Sequence, residues 1–381
     1  MTRSLCAYTW VALTLAGCGD SGGGTASAST SSTSVTTATP GSSSSGGSGS
    51  GGSEGTSSGG TMGGSEGQTT APTTGGLKLD VGVPGTTTDS GGGEQGCRKV
   101  DFLFVIDNSG SMSDEQDSLI SSFPGFIAAI QSTLKEAQDY HIMVVDSDAW
   151  LFAGCDVICP LFLNTCPPAG LDFMCGTPPL ECEDVLGAGV VHPRGLQSSQ
   201  QDCMFSSGAR YMDISEPDLA ATFACAAKVG TGSTLDPEKP MEAMVQAIAP
   251  KGPAFDCNLG FIRPDAILVV TFITDEDDNV GDGSAGTPAG WKAALVAAKK
   301  GDETALVVLG LFGDNDQPNA ICPPLNDMTG AEPSPRLREF VDSFGPRGFS
   351  GSICAGSYDE FFAEAVGIID TTCDGFIPPP M

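Results

Sequence analysis

Residues 100 to 106 read VDFLFVI and stop abruptly at Asp107-Asn108-Ser109-Gly110-Ser111. A continuous run of β-branched and aromatic residues bounded by polar sequence is the mark of a strand buried on both faces. Such a strand needs helices above and below it, and the chain downstream supplies them. From 113 to 132, apolar residues recur at Leu119, Phe123, Phe126, Ile127 and Ile130, a helical spacing that holds despite Pro124. Further strands are expected at 142–145, 211–214, 266–273 and 305–312. Helices are expected at 218–228, 240–248, 291–300, 334–344 and 358–369. Strands separated by helices define an α/β fold with a doubly wound, mostly parallel central sheet flanked by helices. Ligands of such sheets bind where loops converge at the carboxyl ends of the strands. The two most polar post-strand loops, 107–111 and Thr274-Asp275-Glu276-Asp277-Asp278, therefore mark the expected site.

The first loop has the form Asp-x-Ser-x-Ser, and the second opens on Thr-Asp. Together, at the ends of apolar strands, they resemble the metal-ion-dependent adhesion site of the von Willebrand factor A family, over roughly residues 98 to 372. The resemblance implies a Rossmann-like domain in which Asp107 holds a divalent cation largely through water. Ser109 and Ser111 would ligate it by their hydroxyls, and Asp275 would complete the far side. It also implies a fifth ligand, a Thr within Gly230-Thr231-Gly232-Ser233-Thr234-Leu235. Thr234 fits best by its distance from the helix beginning near Met241, with Thr231 and Ser233 left open. Hydroxyl, carboxylate and water oxygens suit a hard cation, Mg2+ first, with Mn2+ or Ca2+ next. An inner shell of mostly neutral hydroxyls leaves the cation positive, with an open position that an Asp or Glu of a partner protein fills.

The same residues have plainer readings. Asp107 to Gly110 can be a tight strand-to-helix turn, with Ser111 or Ser113 as the helix N-cap. Acid in excess of one site at 275–278, with Asp282 nearby, reads as a solvated loop rather than a second calcium site. His141 and His192 read as structural. A hydrolase using the carboxylates with a metal is the second functional class, since paired carboxylates serve as acid and base. Within 97–375 no His-Glu-x-x-His, no Gly-x-Ser-x-Gly and no cysteine beside a histidine accompanies them, so a non-enzymatic binding module is favoured. A structural envelope component with a vestigial metal site is the third reading.

The N-terminal quarter concerns address rather than fold. Arg3 and the apolar run from Leu5 to Ala16 read as an export signal, too short to span a bilayer. Its end, Leu15-Ala16-Gly17-Cys18, resembles the lipobox of bacterial lipoproteins, which implies cleavage and lipidation of Cys18. Gly19 after the cysteine implies the outer membrane by the sorting rule of such lipoproteins, with the domain periplasmic or surface-exposed. Residues 19–96 are rich in Ser, Gly and Thr and cannot bury enough apolar surface to offset the entropy of ordering. As a Gly-rich coil they reach on the order of 50 Å. The domain itself is expected at 97–375, with a Cys-rich insertion at 146–209, and a short tail at 376–381.

Of 14 cysteines, Cys6 leaves with the signal and Cys18 takes lipid. The others are Cys97, Cys155, Cys159, Cys166, Cys175, Cys182, Cys203, Cys225, Cys257, Cys322, Cys354 and Cys373. An even set in an exported domain reads as disulfides of undeduced pairing. Zinc is disfavoured because no Cys-x-x-Cys occurs and there are 2 histidines. A formal charge of −30 argues against nucleic acid as a partner. It slows encounter with an acidic protein without forbidding it, because coordination acts over about 2 Å and the protein's field is screened beyond about 8 Å.

Overall fold

A computed structural model describes residues 96–133, 139–148, 181–194, 196–231, 238–281, 283–326 and 329–380. The export signal, Cys18, nearly all of the linker, Cys155, Cys159, Cys166, Cys175, Ser233 and Thr234 lie outside the described residues. So do Asp282 and about half of the 146–209 insertion.

The apolar run forms strand β1 (Lys99–Ile106), followed by helix α1 (Ser113–Thr133) and strand β2 (Asp139–Asp146). Then come β3 (Met212–Asp213), α2 (Leu219–Ala227), α3 (Pro240–Ile248) and α4 (Pro253–Cys257). β4 (Ile267–Ile273), α5 (Pro288–Ala298), β5 (Leu306–Phe312), α6 (Pro335–Asp342), β6 (Gly348–Ser352) and α7 (Asp359–Gly375) complete the order. The six strands lie in one sheet ordered β3-β2-β1-β4-β5-β6. All neighbours pair in parallel except β3, which runs antiparallel to β2 through Ile142 and Met212. The α/β sheet flanked by helices is therefore present.

Alternation along β1 assigns the two faces, since successive strand side chains point to opposite sides. Val100, Phe102, Phe104 and Ile106 pack with Leu119, Phe123 and Phe126 of α1, Phe223 of α2 and Phe362 of α7. Leu103 and Val105 pack with Met241 and Met244 of α3, Trp291 and Leu295 of α5, and Leu337 and Phe340 of α6. Both faces are thus covered, which is why β1 and β4 carry no solvent-facing polar alternation.

Two elements were not expected, α4 and β6. Strand β6 reads GFSGS and is only partly buried, so no apolar run announces it. Its glycines answer to close packing: a Cβ on Gly351 would meet Phe361 Cδ2 at 2.8 Å, and one on Gly348 would meet the Val341 carbonyl oxygen at 2.0 Å. Helix α7 runs six residues past the expected end, with Thr371 and Thr372 hydroxyls bonded back to Gly367 and Ile368 carbonyls.

Four disulfides join described cysteines: Cys97–Cys373, Cys182–Cys257, Cys203–Cys225 and Cys322–Cys354. The first ties the chain just before β1 to the last turns of α7, and Gly96 N donates to Phe376 O beside it at 3.0 Å. The next two fasten the insertion to the body of the domain. At the amino ends of the strands, Asp101 is fully buried against Arg263, which donates from its backbone N at 2.8 Å and from Nε at 2.7 Å.

Candidate functional site

Parallel register brings the carboxyl ends of β1 and β4 level, with Ile106 opposite Ile273. The ladder continues past each strand: Asp107 N donates to Ile273 O at 3.0 Å, and Thr274 N donates to Leu311 O at 3.1 Å. This extension sets Thr274 beside Asp107, and its hydroxyl donates to Asp107 Oδ2 at 2.6 Å. The other carboxylate oxygen, Oδ1, accepts the Ser109 backbone N–H at 2.7 Å, which folds the turn that ends β1. Both oxygens of Asp107 are therefore held by fixed donors.

Asp275, the next residue along, faces the serines of the first loop. Ser109 Oγ lies 3.4 Å from Asp275 Oδ1, and the hydroxyls of Ser111 and Ser109 hold the Asp275 carboxyl lower than burial alone would. Asp275 is fully buried, yet its Oδ2 has no hydrogen-bond partner among the described residues. Burial, with the charge of Asp107 behind it, pushes the Asp275 carboxyl up to about 7. Burial raises Asp107 as well, against the hydrogen bonds from Thr274 and Ser109. Two desolvated carboxylates side by side are costly unless a proton or a cation joins them.

Four of the five expected ligands, Asp107, Ser109, Ser111 and Asp275, thus come together, while Thr234 lies outside the described residues. Thr231 is buried and donates its hydroxyl to Gln197 Oε1 at 2.9 Å, so that side chain is engaged with the insertion. The loop it belongs to is nevertheless clamped to the site. Gln116 Nε2 donates to Asp107 O at 3.0 Å and to Gly230 O at 2.7 Å, while Gly230 N donates to Gln116 Oε1 at 3.1 Å. Gln116 was not anticipated, because a glutamine on an amphipathic helix ordinarily faces solvent; here it is fully buried.

The acids after Asp275 are not a solvated loop. Asp277 accepts from the backbone N–H groups of Arg336 and Leu337, at 3.4 and 3.3 Å, in the first turn of α6. Asp278 accepts from Met241 N, at 2.9 Å, in the first turn of α3, and from Ser284 N. Both are buried. Each satisfies the free amides of a helix start and complements its dipole. Asn108 points the other way, donating to Asp148 Oδ1 at 3.1 Å and accepting from the Ser147 hydroxyl at 3.2 Å. His141 Nδ1 lies 2.9 Å from Phe261 O, and His192 Nδ1 lies 2.7 Å from Asp202 Oδ1.

Among the described residues, no group of three or more His, Cys, Asp or Glu side chains is placed to hold a metal ion by itself. The donor set of the cluster is of another kind: two carboxylates and two hydroxyls, all oxygen, with one carboxylate oxygen unpartnered. That set fits a hard divalent cation whose remaining positions are water. Known protein families offer no match to the chain, and neither do the curated proteins.

Proposed function

We propose that residues 97–375 form a von Willebrand factor A-type domain that binds a partner protein through a divalent cation, Mg2+ first, held by Asp107, Ser109, Ser111 and Asp275, with Thr234 as fifth ligand. The observation that carries this reading is Asp275 Oδ2, buried and without a donor among the described residues where both loops converge. The cation supplies an electrophilic position for an Asp or Glu of the partner; the chain's part is to fix that position. Thr274 and the Ser109 amide aim Asp107, while Gln116 ties the 230 loop to the backbone of Asp107. Groups tied by fixed donors suit holding an ion rather than moving a proton, so we read the centre as binding and not catalytic.

Lipidation of Cys18 would tether this domain to the cell envelope, at the outer membrane. The site's placement suits such a tether: the stalk joins at Cys97, at the amino end of β1, and the loops lie at the other end. Eight residues of strand separate the two by about 26 Å. No helix among the described residues is long and apolar enough to cross a membrane. The insertion is read as a rim that sets partner choice, since Thr231 N donates to Leu196 O at 2.7 Å and so joins it to the clamped loop.

The test is cross-linking on intact cells in Mg2+ and in chelator, for the natural chain and for Asp275→Ala. A captured species that requires both the ion and Asp275 supports the reading; capture indifferent to both contradicts it.

A further inference from the structure

Two buried carboxylate oxygens lack a hydrogen-bond partner among the described residues, and they belong to the same neighbourhood: Asp275 Oδ2 and Glu115 Oε2. Glu115 lies in the first turn of α1, four residues after Ser111, and is only 7% exposed. The turn that carries it is anchored at the site, because Met112 N donates to Ser109 O at 3.3 Å and Gln116 N to Met112 O at 3.1 Å. The next residue, Gln116, is the one that grips Asp107 and Gly230. Burial raises the Glu115 carboxyl, with its neighbour Asp114 and then Asp275 adding to the rise; burial and the same three acids raise Tyr358, the buried residue that precedes α7 and bonds Ile353 O at 2.8 Å. A glutamate on an α1 surface would turn to water at little cost. This one is packed inward, its Oε2 without a donor among the described residues, and a desolvated carboxylate oxygen calls for one.

We propose that Glu115 is a third acidic residue of the cation centre, its Oε2 accepting a hydrogen bond from a water that the bound ion carries. This rests on the reading of the centre given above, and it adds a residue that the two loop motifs do not contain. The role is that of a positioning residue: it fixes a water of the ion and supplies negative charge from the side of α1. Removing such an outer partner lowers metal affinity by about 10- to 100-fold. The same removal relieves the ion-free protein of a carboxyl whose ionisation its burial opposes. The two effects have opposite signs, which separates this role from a merely structural one.

The experiment is titration of the full oxidised chain with Mn2+ by calorimetry, alongside its melting temperature in chelator. It compares the natural chain, Glu115→Gln, Glu115→Asp and Asp275→Ala. The expected result is at least a 10-fold loss of Mn2+ affinity in Glu115→Gln, with a melting temperature in chelator equal to or above that of the natural chain. Glu115→Asp, which keeps the charge, falls between the two and carries the test if the glutamine variant does not fold. A natural chain that binds Mn2+ with Glu115→Gln binding equally well overturns the assignment of Glu115 and leaves the four-residue centre intact. A natural chain that takes up no ion overturns both.

Discussion

Thr274 donates its hydroxyl to Asp107 Oδ2 at 2.6 Å, joining residues 167 positions apart at the ends of neighbouring parallel strands. The same hydroxyl accepts from Glu276 N at 3.2 Å, so one side chain orients the acid of the first loop and shapes the second. Thr274→Val keeps the shape and removes the donor. We expect a loss of about 1–3 kcal/mol in urea unfolding of the ion-free chain, the cost of leaving a buried acceptor short of a partner. Unchanged stability would show that Asp107 is satisfied without it.

Buried acids whose carboxyls are raised set the pH dependence of the ion-free protein, Asp101, Asp107, Asp275 and Glu115 among them. Burial raises Asp101 to about 6, Asp275 to about 7 and Glu115 to about 8, from ordinary values of about 4. Each binds its proton more tightly folded than unfolded. Its contribution to stability is therefore whole below about pH 4 and is lost as pH rises through the folded value. In chelator, the melting temperature should fall from pH 5.5 to pH 8.5, with a shallower slope in Asp275→Asn. A rise over that window would contradict the assignment. Divalent-ion affinity should run the other way, strengthening from pH 6 to pH 8 as Asp275 gives up its proton.

Asp278 separates helix capping from ion binding. It accepts from Met241 N and Ser284 N, so Asp278→Ala should cost about 1–2 kcal/mol of stability by loss of a helix cap. Mg2+ affinity, measured by calorimetry on the folded variant, should stay within a few-fold of the natural chain. Loss of binding with no loss of stability would make Asp278 a ligand.

The disulfide Cys97–Cys373 closes a loop spanning 276 positions. The chain-entropy account gives such a long closure about 5–6 kcal/mol. Replacing both cysteines with serine should lower urea stability by that order, with ion affinity at the distant loops retained once the variant is folded. A change well under 1 kcal/mol would mean that α7 and β1 hold the ends together without it.

What the sequence disclosed follows from where the information sits. Strands β1, β4 and β5 are buried on both faces, so their composition alone reveals them. Strand β6 is set by the room around Gly348 and Gly351, which only the packed neighbours define. Asp107, Ser109, Ser111 and Asp275 are legible because each lies in a short loop directly after such a strand. Glu115 and Gln116 are not, because periodicity assigns polar residues of α1 to solvent and says nothing of a loop 114 residues away that Gln116 grips. Asp277 and Asp278 read as solvated acid for the same reason: the amides they satisfy lie 59 or 60 and 37 positions away.

Uptake of a divalent cation by the oxidised full chain, followed by calorimetry with Mg2+ and with Mn2+, tests the central claim most directly. The account predicts saturable binding of one ion, abolished in Asp275→Ala and in Ser109→Ala combined with Ser111→Ala, and accompanied by a rise in melting temperature. A correctly folded chain that releases no heat with either ion, and melts at the same temperature with and without them, would contradict it.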